Sequence, residues 1–171
     1  MKRDKKEVVL PFVKTEGHVS LRERLEELCG SEMSAVLATD GGGQPYTSLV
    51  SFALSPDRKG LIFATPKATS KYKNIAKNPR VSVLIDNRSR AKGDIMLGEA
   101  ITILGLARPV RRGKRWRELA AVLVSKNPAL HEFITAPTTA LIYIEAAKYI
   151  HVGRFQAITV SDTAQQVRKP F

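Results

Sequence analysis

Between Gly43 and Asp86 the chain alternates short apolar runs with tight turns, a spacing that favours antiparallel strands over long helices. Tyr46–Leu54 and Leu61–Ala64 read as a hairpin joined by Ser55-Pro56-Asp57-Arg58-Lys59-Gly60. A basic, hydroxyl-rich turn from Thr65 to Lys71 follows and opens a short helix, Lys71–Lys77. Asn78-Pro79 then leads into a strand in which Val81, Val83 and Ile85 alternate. Hydroxyls, free backbone N–H groups and a lysine at a helix start suit an anion, most naturally a phosphate.

The flanking segments follow the same pattern. Ser20-Leu21-Arg22-Glu23 is a capping box, and Leu25 and Leu28 keep helical spacing, so a helix is expected over Ser20–Cys29 with Gly30 as its stop. Ser34–Thr39 is a buried strand. Asp40-Gly41-Gly42-Gly43 lacks both a following Gly-Lys-Ser/Thr and a helix, which makes it a hairpin turn rather than a phosphate loop. Ile95–Ala107 is β-like, with Gly98 and Gly105 as bend positions and Pro109 as its end. Lys114–Leu123 is helical, with Trp116, Leu119, Ala120 and Leu123 on one face, and a shorter helical stretch follows at Pro128–Phe133. Leu141–Tyr149 and His151–Val160 read as two closing strands. So many short strands favour a mainly β, closed barrel with short flanking helices, because closure removes sheet edges. One domain is expected over residues 19–160, preceded by a basic arm (1–18) and followed by a polar tail (161–171).

Composition narrows the function classes. No apolar run is long enough to span a bilayer, and Val8–Val13, interrupted by Pro11, is too short for a signal peptide. The single cysteine, Cys29, excludes an intramolecular disulfide and fits a reducing cytosol, so a cytoplasmic protein is expected with Cys29 as a buried apolar residue. The net charge of +12 is clustered: residues 67–92 carry +7 and residues 108–117 carry +6. Such clusters attract anionic ligands. A nucleic-acid-binding module is the competing class, but aromatics are 6% of the chain and do not interleave with the basic residues, so it is the weaker reading. Arg111, Arg112, Arg115 and Arg117 can instead flank a helix that packs through Trp116. His18, His131 and His151 lack metal-ligand spacing, so no metal site is expected. No nucleophile elbow or His–carboxylate pair is evident, which leaves any chemistry to a cofactor.

Gly43-Gln44-Pro45-Tyr46, the strand after it, Ile62-Phe63-Ala64-Thr65, Thr69-Ser70-Lys71 and Asn78-Pro79-Arg80-Val81-Ser82-Val83-Leu84 together resemble the pyridoxamine 5′-phosphate oxidase-like, FMN-binding split-barrel superfamily over about Met33–Val110. The resemblance implies a six-stranded antiparallel split β-barrel, a homodimer and FMN at the dimer interface. It sets the phosphate on Lys71, Thr69 and Ser70, and the flavin ring against Leu49, Val50, Ser51, Ala64 and Thr65. It implies an oxidoreductase of unassigned substrate, with deazaflavin or haem as alternative ligands. The chain departs from the family at Ser48 and Ser70, where the oxidases place arginines, at Ala53 in place of a lysine, and at Ala100 in place of a glutamine that contacts flavin. Nor does Gln165–Phe171 match the oxidases' substrate-binding C-terminal end, which argues against pyridoxamine phosphate oxidation itself.

Overall fold

The computed structural model describes residues 20–88, 98–153 and 157–162. The N-terminal arm, most of the basic loop expected at 87–93, the tail from 163 and His18 lie outside the described residues. Seven strands make one antiparallel sheet: β1 Ser34–Asp40, β2 Pro45–Leu54, β3 Gly60–Pro66, β4 Arg80–Asp86, β5 Glu99–Pro109, β6 Thr139–Gly153 and β7 Ala157–Asp162. Their order is β3-β2-β1-β4-β5-β6-β7, and a further pairing of β3 with β6 closes the first six into a barrel. The expected six-stranded barrel is therefore present, with one strand added. The two closing strands read from the sequence are in fact a single 15-residue strand, β6, followed by β7. No turn residue interrupts β6 before Gly153, and one edge of it serves β3 through Thr139–Glu145 and β7 through Lys148–Gly153.

Strand alternation sorts the side chains. Leu37, Phe52, Phe63, Val83, Ile101, Ile103 and their inward neighbours fill the barrel. Helix α1 (Leu21–Ser31) adds Leu25, Leu28 and Cys29 to this core, and α2 (Ser70–Lys77) adds Ile75 and the inner part of Tyr72. A second core lies outside the barrel. There Leu119, Ala120 and Leu123 of α3 (Lys114–Lys126) and Ile134 of α4 (His131–Thr135) cover Ala53, Ile62 and Leu141. Burying each such leucine contributes about 1.5–3 kcal/mol. The expected bend at Gly105 is a register shift between β5 and β6, where a side chain would run into the Glu145 carbonyl.

The capping box forms as read: Ser20 N–H donates to Glu23 Oε2 at 2.7 Å and Glu23 N–H to Ser20 Oγ at 3.2 Å. Gly30 does not stop α1. The helix runs on to Ser31, and Lys126 Nζ donates to Cys29 O in its last turn and to Glu32 O just beyond it, each at 2.7 Å, while lying 3.8 Å from the Phe52 ring centre.

Candidate functional site

The barrel is forked between β2 and β3. Only Phe52–Leu54 pair with Leu61–Phe63, whereas β3 stays paired with β6 throughout Gly60–Pro66. From Pro45 to Ser51, β2 has β1 on one side and no strand on the other. Alternate backbone N–H and C=O groups along that edge therefore have no ladder partner. The sequence-selected ring residues lie at this fork but face different ways. Val50 and Thr65 are buried, at 7% and 1% exposure, so a ligand outside the barrel could meet only their backbone. Leu49 projects outward at 70% exposure, and Ser51 and Ala64 are half-buried where the strands part. Ser51 meets a residue that sequence reasoning missed: Asn127, at the C-terminal cap of α3, points its amide Nδ2 toward Ser51 Oγ at 3.5 Å. Among the described residues the buried hydroxyl without a partner is Ser48 Oγ, at a position where the resemblance sets an arginine.

At the tip of the β3 arm sits the start of α2. Thr69 is its N-cap, and its hydroxyl is fully committed. It donates to Pro66 O at 2.8 Å and accepts from Tyr72 N–H at 3.4 Å; because its proton is spent on Pro66, Thr65 must donate across the 3.0 Å hydroxyl pair. Capping accounts for the Thr69 oxygen, and a direct phosphate contact would have to take the hydroxyl proton now given to Pro66 O. Ser70 and Lys71 remain available. Their backbone N–H groups fall in the first helical turn, where no intrahelical acceptor exists. Ser70 is exposed, and half-buried Lys71 has no hydrogen bond or ion pair among the described residues. Lys71, Ser70 and the two N–H groups form a set that fits a phosphate.

Elsewhere the topology disperses or occupies the sequence candidates. Arg112 stacks on Trp116 at 4.5 Å and donates to Thr135 O and Ala136 O, and Arg115 stacks on Tyr143 at 4.8 Å. Part of the arginine run is therefore structural. The fold also makes a pair the sequence hid: β5–β6 pairing brings His151 Nε2 within 2.5 Å of Glu99 Oε1, and Arg24 of α1 approaches the same carboxylate at 3.5 Å. Among the described residues no group of three or more His, Cys, Asp or Glu is placed to hold a metal ion, and no helix is long and apolar enough to cross a membrane. Burial raises the Cys29 thiol to about 12.

One outward row crosses six strands in register: Leu49, Val36, Leu84, Thr102, Ile150 and Val160. It is largely apolar and ends in Leu49 and Val160, the latter 44% exposed. Beside it, Val36, Leu49 and Leu84 floor a hollow of about 260 Å³ rimmed by Asp86 and Arg88.

A closed six-stranded antiparallel barrel, forked on one side and with an anion-competent helix start at the fork, defines a split-barrel protein. The chain belongs to the pyridoxamine 5′-phosphate oxidase family, whose pattern it matches over residues 21–153. No curated protein matches it in sequence. Similar solved structures include a haem-binding protein from Mycobacterium smegmatis, with 19% identity, a TM-score of 0.76, and 85% of this chain covered against 59% of that one. ChuZ from Campylobacter jejuni has 17% identity, a TM-score of 0.73 and coverages of 83% and 59%. HutZ, a haem storage protein from Vibrio cholerae, has 18% identity, a TM-score of 0.64 and coverages of 75% and 91%. The chain thus spans about 59% of the length of the first two. At these identities the likeness establishes the shared fold.

Proposed function

We propose that this protein is an FMN-binding oxidoreductase of its family, working as a homodimer joined through the apolar row from Leu49 to Val160. The reading is carried by one relationship: the unspent N–H groups and ammonium at Ser70–Lys71 follow the tip of the β3 arm of the fork, whose other arm is the open backbone edge of β2. A phosphate held at the first and a ring edge hydrogen-bonded at the second would share one ligand. FMN, when bound, supplies the acceptor for an electron pair. In this reading Lys71 and Ser70 bind and orient the phosphate, while Thr69 holds the helix start in place. The β2 backbone from Leu49 to Ser51 meets the polar ring edge, Ser51 and Ala64 leave room where the strands part, and Val50 and Thr65 hold the two arms from inside. A deazaflavin would use the same anion-binding end.

A visible spectrum of the purified protein, repeated after adding FMN and removing the excess by gel filtration, tests this. Retained bands near ~370 and ~450 nm are expected of a bound flavin. A colourless protein that will not hold FMN overturns the reading. The haem alternative has one specific support here, the exposed His131 on α4 as an available axial ligand. It predicts an intense band near ~400 nm on adding haemin, lost in His131→Ala.

A further inference from the structure

The glycine turn Asp40–Gly43 takes no part in the fork, yet it forms one wall of a cleft of about 600 Å³ whose other wall is Lys77, Asn78, Pro79 and Arg80. We infer that this cleft is a second anion site, taking the phosphate or carboxylate of a small molecule on Lys77 and Arg80. Both cations are exposed, and neither side chain has a hydrogen bond or ion pair among the described residues. The turn's own N–H groups are unavailable: Asp40 Oδ1 accepts from Gly42 N–H at 2.9 Å and from Gly43 N–H at 2.6 Å. These bonds lower the Asp40 carboxyl, with a smaller contribution from Arg80 across the cleft. Two cations without a hydrogen bond then face one acid, so the cleft keeps a net positive charge. Lys77 also stands in the last turn of α2, where its charge offsets the helix's negative end. Asp40 keeps its second oxygen free of any hydrogen bond among the described residues, as an acceptor for a hydroxyl on the same ligand. Gly42 and Gly43 would meet nothing if they carried side chains, so that wall is open to solvent and to a ligand.

The site is separate from the fork. Lys77 lies six positions after Lys71 on α2, about 9 Å along the axis. The anion comes either from the far end of a ligand held at the fork or from an independent small molecule, and the inference does not depend on FMN.

Titration calorimetry on the full-length protein with inorganic pyrophosphate as the probe tests it. The Lys77→Ala/Arg80→Ala double variant is expected to lose about tenfold or more in pyrophosphate affinity. Lys73→Ala, on α2 outside the cleft, is expected to leave that affinity within about twofold. Equal losses in Lys73→Ala and the double variant would mean diffuse electrostatic attraction and would overturn the site, as would absence of saturable binding. Comparing FAD with FMN separates the two sources. A tighter FAD complex whose advantage vanishes in the double variant assigns the cleft to the far end of the fork ligand; equal affinities assign it to an independent anion. Unchanged circular dichroism of the variants controls for folding. If FMN binding fails while pyrophosphate binding is lost only in the double variant, the cofactor reading falls and this one stands.

Discussion

Asn74 donates its side-chain amide to the hydroxyl of Thr39 across 3.1 Å, tying α2 to β1 one turn beyond Lys71. Thr39 is 3% exposed and passes the bond on to Tyr46 O at 3.4 Å, so the tie is buried and continuous with the hairpin. Gly41 permits it, since a Cβ there would collide with Asn74. Asn74→Ala is expected to destabilise the protein by about 1–2 kcal/mol, because Thr39 loses a buried partner. Thermal denaturation would read this as a fall in Tm of a few degrees. FMN affinity should fall with it, and Asn74→Asp, which removes the donor and sets a carboxylate against the Thr39 hydroxyl oxygen, should recover none of the stability.

Lys71→Ala should weaken FMN by about 1–3 kcal/mol, as expected of one charge-assisted contact. Thr69→Val should lower both stability and affinity by about 1 kcal/mol through loss of the cap, and Thr69→Ser should restore both. Fluorescence titration of FMN checks the pair. An effect of Thr69→Val on affinity with none on stability would show that the hydroxyl contacts ligand rather than the helix.

Gly60 has the tightest surroundings of the glycines compared among the described residues. A Cβ there would run into the carbonyl oxygen of Ile144, part of the β3–β6 pairing that closes the barrel. Gly60→Ala should cost about 3 kcal/mol or more, since backbone, not a movable side chain, blocks it. Gly43→Ala meets no neighbour but keeps a φ of +90°, and should cost about 1 kcal/mol. Urea denaturation of the two variants would rank them.

Alkaline pH should destabilise the fold. Burial raises Cys29 from 9.0 to about 12 and Tyr149 from 10.0 to about 12. The folded state then holds protons that the unfolded state has released, so this stability is complete below about 9 and is lost as pH rises toward about 12. Lys126 acts in the opposite sense, because burial lowers it and leaves the folded state the less protonated. Cys29→Ala should flatten the decline above pH 9 in a series of denaturation curves. The native thiol should also resist a disulfide reagent at pH 8 that modifies the unfolded chain at once.

Leu49→Arg places a charge on the most exposed apolar residue of the proposed dimer face, at one end of its row, and should yield a monomer by light scattering, with the barrel's circular dichroism unchanged. A dimer that persists would move the interface elsewhere.

Local chemistry made much of this legible. The capping box, the Ser55–Gly60 turn, the alternation in β4 and the helix after Thr69 are each decided by residues within a few positions of one another, so they survive into the fold nearly as read. What was missed depended on partners far along the chain. Gly30 should end a helix, yet α1 runs on to Ser31, and Lys126, 96 positions after Gly30, donates to Cys29 O in its last turn and to Glu32 O just beyond it. His151 looked isolated until strand register set Glu99 beside it. At Thr69 the spacing suits a helix cap and a phosphate contact alike, and its bonds to Pro66, Thr65 and Tyr72 are matters of hydrogen-bond direction that spacing does not encode.

The sequence by itself determined the strand pattern, the two basic runs and the hydroxyl-rich helix start, because alternation and capping act over one or two turns of chain. Only the tertiary structure decided where β2 and β3 part, which side chains at that fork face outward, and which cations stay free. Those outcomes depend on closure: β3 pairs with β6 along its whole length but with β2 only through Leu61–Phe63, which leaves the edge of β2 before Phe52 open.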